Sequence, residues 1–253
     1  RDVWFDPRHE TWRRGVAAAA SPIQGLAGPR ISPIPHQLYI ATEVAGRTTP
    51  RVLLADEVGL GKTIEAGLIL HRLLAAGRVT RALILVPDPL LHQWLVEMRR
   101  RFNLRFALFD RERLADIQDP AGDNPFLLTP LALCPLSGLL ATPAAAQALL
   151  AADWDLLIVD EAHHLRWSET ATSPEYDLVA ALAARIPGVL LLTATPEQLG
   201  RAGHFGRLRL LDPHRWRDYA TFLAEEAEYI PIAHLAGRLL DGQALTTEDQ
   251  ARL

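Results

Sequence analysis

Four short apolar runs punctuate the chain: Val52-Leu53-Leu54, Leu83-Ile84-Leu85-Val86, Leu156-Leu157-Ile158-Val159 and Val189-Leu190-Leu191-Leu192. None alternates apolar with polar positions. An unbroken apolar run of this length suits a strand covered on both faces, as in a parallel sheet. Helical stretches lie between the runs, near 62–76, 89–102, 143–151 and 174–185, with Gly77 placed to end the first. This alternation predicts an α/β domain with a mostly parallel sheet and helices on both faces.

The flanks read differently. In residues 1–33 the punctuation of Pro22, Gly25, Gly28, Pro29 and Pro33 breaks up regular structure, so this stretch reads as a linker or the end of a preceding domain. Residues 110–143 are rich in Pro, Asp and Gly and predict a long surface loop with a short strand near Leu131–Cys134. From Asp212 onward the pattern is helical, near 214–229 and 231–240. Thr247-Glu248-Asp249-Gln250 then has the form of a capping box that starts another helix. The expected division is therefore a nucleotide-binding lobe over 34–213 and a truncated helical extension over 214–253. The opening Arg1 and the late helix start suggest a piece of a longer polypeptide.

Composition narrows the function. With 49% apolar and 22% charged residues the chain can build an ordinary core. No apolar run approaches the ~18 residues that a membrane span needs, and no secretory signal is visible. Cys134 is the only cysteine, which excludes an intrachain disulfide and fits a cytoplasmic setting. The net charge of −4 excludes a wholly basic nucleic-acid binder, so any such contact uses a local patch. Of 26 lysine and arginine residues, all but Lys62 are arginine. A source that uses arginine wherever a cation will serve keeps lysine where only a compact point charge fits.

Lys62 lies in Asp56-Glu57-Val58-Gly59-Leu60-Gly61-Lys62-Thr63, followed by Ile64. The segment follows a strand and opens a helix, which is the context of a P-loop. Its glycines let backbone N–H groups wrap phosphates, and the helix N-terminus adds its positive end. Lys62 is placed to reach the β- and γ-phosphates of ATP, and the Thr63 hydroxyl to bind Mg2+. Asp56 stands where the strict pattern has glycine, so this is a variant form. Asp160-Glu161-Ala162-His163 directly follows the third apolar run. Asp160 would hold Mg2+ through water, and Glu161 would orient and deprotonate the attacking water. Thr193-Ala194-Thr195-Pro196 ends the fourth run, where its hydroxyls could sense the γ-phosphate. Gln37, ahead of the first run, offers the donor and acceptor that an adenine edge requires. Taken alone, Thr193-Ala194-Thr195-Pro196 is also a plain strand-ending turn, and Gln37 a solvated side chain. Trp94 reads as a core residue. Arg99, Arg100, Arg101 and Arg105 read as a solvated helix end favoured by the helix dipole.

The segments DEVGLGKT, DEAH and TATP, in this order and spacing, resemble the first motor lobe of the helicase-like superfamily, in its Swi/Snf branch. GLGKT and TATP favour this branch over the DEAH-box RNA helicases, which usually carry GSGKT and SAT. The runs PHQLYIA, PRVLLADEVGLGKTIEAGLILH, HQWLVEM, RRFNLRFALFD, WDLLIVDEAHHL and PGVLLLTATPEQLG extend the resemblance from about Pro35 to Pro213. They are similar to the bacterial RNA polymerase-associated ATPases of that branch. The resemblance implies a RecA-like P-loop lobe of a double-stranded DNA translocase that binds RNA polymerase and helps recycle it, in the bacterial cytoplasm at the nucleoid. It implies that Gln37 contacts adenine and that residues 56–64 and Lys62 hold the nucleotide. It also implies that Thr63 and Asp160 serve the metal, and that Thr193 and Thr195 couple hydrolysis to movement. Pro87, Gln93 and the region around Cys134 match stretches that face the DNA track. Such motors place ATP between two lobes, and no second lobe or arginine finger is found in the chain. Two other readings stand beside this one: an RNA helicase lobe, and a non-catalytic scaffold.

Overall fold

A computed structural model describes residues 5–19, 21, 25–26, 28–32, 34–55, 61–118, 124–194 and 200–228. Among them six strands form one parallel sheet: β1 (Arg51–Leu54), β2 (Ala82–Val86), β3 (Ala107–Leu108), β4 (Leu131–Pro135), β5 (Leu156–Val159) and β6 (Gly188–Leu192). Their spatial order is β1-β6-β5-β2-β4-β3. The helices among the described residues include α1 (Phe5–Ala19), α2 (Pro35–Gly46), α3 (Lys62–Ala75), α4 (Leu91–Phe102), α5 (Arg111–Ala115), α6 (Leu136–Ala141), α7 (Pro143–Leu150), α8 (Pro174–Ala183) and α9 (Gly200–Leu211).

The uninterrupted apolar runs have their expected cause. Successive side chains of a strand point to opposite faces, so a run buried on both faces serves two cores. Ala82, Ile84 and Val86 pack with Ile158, Leu190 and Leu192 under α2, α3 and α4. Leu83 and Leu85 pack with Leu157, Val159, Val189 and Leu191 under α6, α7, α8 and α9. Gly67 lets α3 approach α4 closely: a Cβ there would lie 2.3 Å from the Phe102 ring.

Three expectations need correction. Residues 1–33 contain α1 (Phe5–Ala19), which tolerates Pro7 in its first turn, where a missing N–H costs nothing, and Gly15 further along, while the cluster of breakers at Pro22, Gly25, Gly28, Pro29 and Pro33 lies beyond it. Residues 110–143 are not one loop. Asp110 caps α5 by accepting the Arg113 N–H at 2.9 Å, and α6 follows at Leu136–Ala141; the short strand expected near Leu131–Cys134 is present as β4, largely buried between β2 and β3. Pro135 ends that strand, and Pro143 occupies the first turn of α7, where a missing N–H costs nothing. The prolines therefore mark boundaries within regular structure. The helix expected near 214–229 starts at 219. Before it, the Asp212 side chain accepts the N–H groups of His214 and Arg215 in a turn, and Asp218 accepts the Thr221 N–H at 2.7 Å. The helices expected near 231–240 and at 247–250 lie outside the described residues.

Candidate functional site

The strand order brings the motifs together. β6 lies between β1 and β5, so the chain beyond Leu54, Val159 and Leu192 emerges at one edge of the sheet. Thr193 donates its N–H to Leu54 O at 3.0 Å, and Asp160 donates its N–H to Leu85 O at 2.9 Å. Ends of parallel strands are where α/β sheets bind ligands.

Asp56, Glu57, Val58, Gly59 and Leu60 lie outside the described residues, as does Thr195. Gly61 precedes α3. Its φ of +87° is a left-handed conformation that only glycine adopts cheaply. Its carbonyl accepts the N–H groups of Ile64 and Glu65 at 2.7 and 3.1 Å, which starts α3. A Cβ on Gly61 would lie 2.5 Å from Gln37 Nε2. The Gln37 amide, buried in the first turn of α2, therefore sits against Gly61. Lys62, Thr63 and Ile64 form the first turn of α3 and are half-buried. Thr193 is fully buried.

Asp160 leaves β5 half-buried. Its Oδ1 accepts the Glu161 N–H at 2.8 Å and its Oδ2 accepts the Trp94 Nε1–H at 2.7 Å. Burial pushes its carboxyl above the ordinary range, while the Trp94 and Glu161 hydrogen bonds and the positive charge of Lys62 pull the other way. Glu161 adopts φ 50°, ψ 45°. A non-glycine residue in that left-handed region is strained by roughly 1–2 kcal/mol, and such strain gathers at functional sites. Its Oε2 lies 2.9 Å from His163 Nδ1, without the alignment of a hydrogen bond. Burial, then the neighbouring His164, push the His163 imidazole below its usual range and favour its neutral form.

Asp160 and Glu161 open onto a cleft of about 540 Å³, which also takes in Pro87, Asp88, Leu136 and Ser137. Pro87 is half-buried and Gln93 is exposed at the start of α4. Cys134 does not reach this surface. Its side chain is fully buried in the core beneath α6 and α7, so around it only Leu136 and Ser137 face the cleft. Arg99, Arg100, Arg101 and Arg105 are exposed around the C-terminal end of α4, and Arg101 pairs with Glu97.

Sequence reasoning missed two contacts, Trp94 on Asp160 and His163 beside Glu161. The signal for Trp94 was weak: an indole carries a polar N–H that must find an acceptor when buried.

The chain is similar to RNA polymerase-associated protein RapA of several pseudomonads. It is 58% identical over 246 residues to that of Pseudomonas fluorescens, which is 97% of this chain and 26% of the relative. It is 58% identical over 243 residues to that of Pseudomonas aeruginosa, which is 96% of this chain and 25% of the relative. The chain thus spans about a quarter of the length of these relatives. In fold it is similar to the Sulfolobus solfataricus SWI2/SNF2 ATPase core in complex with dsDNA, with a TM-score of 0.64 and 20% identity, over 78% of this chain and 39% of that one. The Sulfolobus solfataricus SWI2/SNF2 ATPase core domain gives a TM-score of 0.63 at 19% identity, over 81% of this chain and 39% of that one. Residues 42–250 match the SNF2-related domain. That match covers most of the chain and all three strand-end motifs, and the chain belongs to the SNF2-related domain family.

Proposed function

We propose that the chain is the ATP-binding lobe of a Swi/Snf-type motor that hydrolyses ATP to translocate on double-stranded DNA. In this reading the motor associates with RNA polymerase in the bacterial cytoplasm, at the nucleoid, and promotes its recycling. The observation that carries the reading is the strand order, which sets β6 between β1 and β5 and so brings Gly61-Lys62-Thr63, after β1, and Asp160-Glu161, after β5, to the same edge of the sheet. Residues 34–213 form the lobe, and 214–253 its helical extension.

Within it, residues 56–64 wrap the phosphates through backbone N–H groups and the N-terminus of α3. Lys62 balances the β- and γ-phosphate charge, and Gln37, held against Gly61, reads adenine. A hard divalent cation fits the donor set. Asp160 offers carboxylate oxygens that each accept one hydrogen bond within the protein and keep a second lone pair for water. Thr63 and Asp160 would hold Mg2+, Asp160 through water. When bound, Mg2+ would neutralise phosphate charge in the transition state. Glu161 orients the attacking water and takes its proton. Thr193 and Thr195 link this edge to movement. The membership in the SNF2-related family supports duplex DNA over RNA as the track, and the complete set Lys62, Thr63, Asp160 and Glu161 speaks against a scaffold that kept only the fold.

A calorimetric titration with Mg2+ and a slowly hydrolysed ATP analogue tests the reading, beside Lys62→Ala. Binding by the chain and at least ~10-fold weaker binding by the variant are expected, since a charge-assisted contact contributes about 1.5–3 kcal/mol. Equal binding by the two proteins would overturn the role of Lys62, and no binding by either would overturn the nucleotide site.

A further inference from the structure

Trp94 sits on α4 among the aliphatic side chains that cover one face of the sheet, and is only 1% exposed. A phenylalanine or leucine would fill most of that space without bringing a polar atom into the core. The indole instead carries an N–H, whose burial is costly unless it meets an acceptor. The acceptor is Asp160 Oδ2, 2.7 Å away and 66 residues further along the chain. The other oxygen, Oδ1, is held at 2.8 Å by the Glu161 N–H. Main chain grips one side of the carboxylate and Trp94 the other, so the plane of the group is set from both ends.

We propose that Trp94 is a positioning residue for the metal side of this site, its indole N–H holding the Asp160 carboxylate in the orientation that serves Mg2+. This rests on the reading of Asp160 as the carboxylate that holds Mg2+. The partner that orients a metal-side carboxylate commonly changes metal affinity by about 10–100-fold when removed. The link also joins α4 to the strand-end edge of β5, so a displacement of that helix moves a carboxylate of the site.

The test uses the full chain, labelled with 15N in its tryptophan indoles, and the variant Trp94→Phe, which keeps an aromatic ring and removes the donor. Nucleotide-analogue binding is measured across a Mg2+ series and without Mg2+. Trp94→Phe is expected to raise the Mg2+ concentration for half-maximal binding by about 10-fold, while affinity without Mg2+ is unchanged. The Trp94 indole resonance of the unmutated chain is expected to move when Mg2+ joins the nucleotide. A purely structural role predicts a lower unfolding midpoint, an unchanged Mg2+ requirement and a static resonance, and that result overturns the proposal. If Trp94→Phe does not fold, the resonance decides alone, assigned by substituting the other five of the chain's six tryptophans. A chain whose nucleotide binding ignores Mg2+ would instead remove the reading of Asp160 on which the proposal stands. That result differs visibly from a variant that merely matches the unmutated chain.

Discussion

Asp155, just before β5, shows how one side chain can join two strands. Its Oδ2 accepts the Thr80 N–H at 2.7 Å, the Thr80 hydroxyl at 2.8 Å and the Arg81 N–H at 2.9 Å. Partial burial alone would raise its carboxyl, but the hydrogen bonds from Thr80 and Arg81 outweigh it and hold the group below the ordinary carboxylate range. A depressed folded-state pKa contributes stability that is present above the unfolded value, about 4, and is lost as pH falls through the folded value. Asp155→Asn keeps an acceptor but loses the charge. It is expected to lower stability by about 1 kcal/mol at neutral pH, with the gap closing below about pH 4. Urea unfolding midpoints over a pH series measure this, and a gap that does not change with pH would refute it. Nothing in the spacing of Asp155 marked this role; its neighbour motif at 160–163 was legible because it has a characteristic form. Trp94 taught the same lesson, since its type predicted burial while its partner was set by the pairing of β2 with β5.

At the scale of elements, Arg51 performs a task that no apolar pattern announces. It is the first residue of β1, and its guanidinium reaches backbone carbonyls from two helix ends and the turn between α8 and β6. Nε donates to Leu211 O at 2.6 Å, and the two terminal nitrogens donate to Leu210 O, Ala183 O, Ile186 O and Pro187 O at 2.8–3.1 Å. The last carbonyls of a helix have no partner within it, and a cation there also meets the negative end of the dipole. Arg51→Ala is expected to cost on the order of 3 kcal/mol in denaturant unfolding, since several charge-assisted hydrogen bonds go at once. Arg51→Lys should recover only part, because one ammonium cannot span five acceptors. A loss below about 0.5 kcal/mol for Arg51→Ala, within the range of an ordinary surface change, would show that the bonds are dispensable. The four main strands and the helices between them could be read from periodicity because burial on both faces leaves a simple signature. α2, α5 and α6 were not read from the pattern; α5 and α6, of five and six residues, are too short to show a period and depend on the neighbours that bury them.

At the scale of the molecule, the chain matches the first of two lobes in the motors that it resembles. The family reading puts an arginine from the second lobe at the transferred phosphate, a contribution of about 10³–10⁵ in rate in related enzymes. The chain by itself is therefore expected to bind nucleotide yet turn it over at least ~10³-fold more slowly than a two-lobed relative. Phosphate release by the two proteins side by side would test this, and equal turnover would refute it. The sequence by itself determined the class of sheet and the positions of its main strands, and it offered the motifs proposed for phosphate and metal. Those signals are local: a run of apolar residues, a glycine before Lys62, two carboxylates after a strand. Only the tertiary structure decided the strand order, which puts β6 between β1 and β5 and so gathers motifs that lie far apart in the chain. It also decided which polar atoms those motifs lean on. Asp160 meets Trp94, and Arg51 meets the ends of α8 and α9, because hydrogen bonds form between groups that folding brings within about 3 Å, a distance that separation along the chain does not encode.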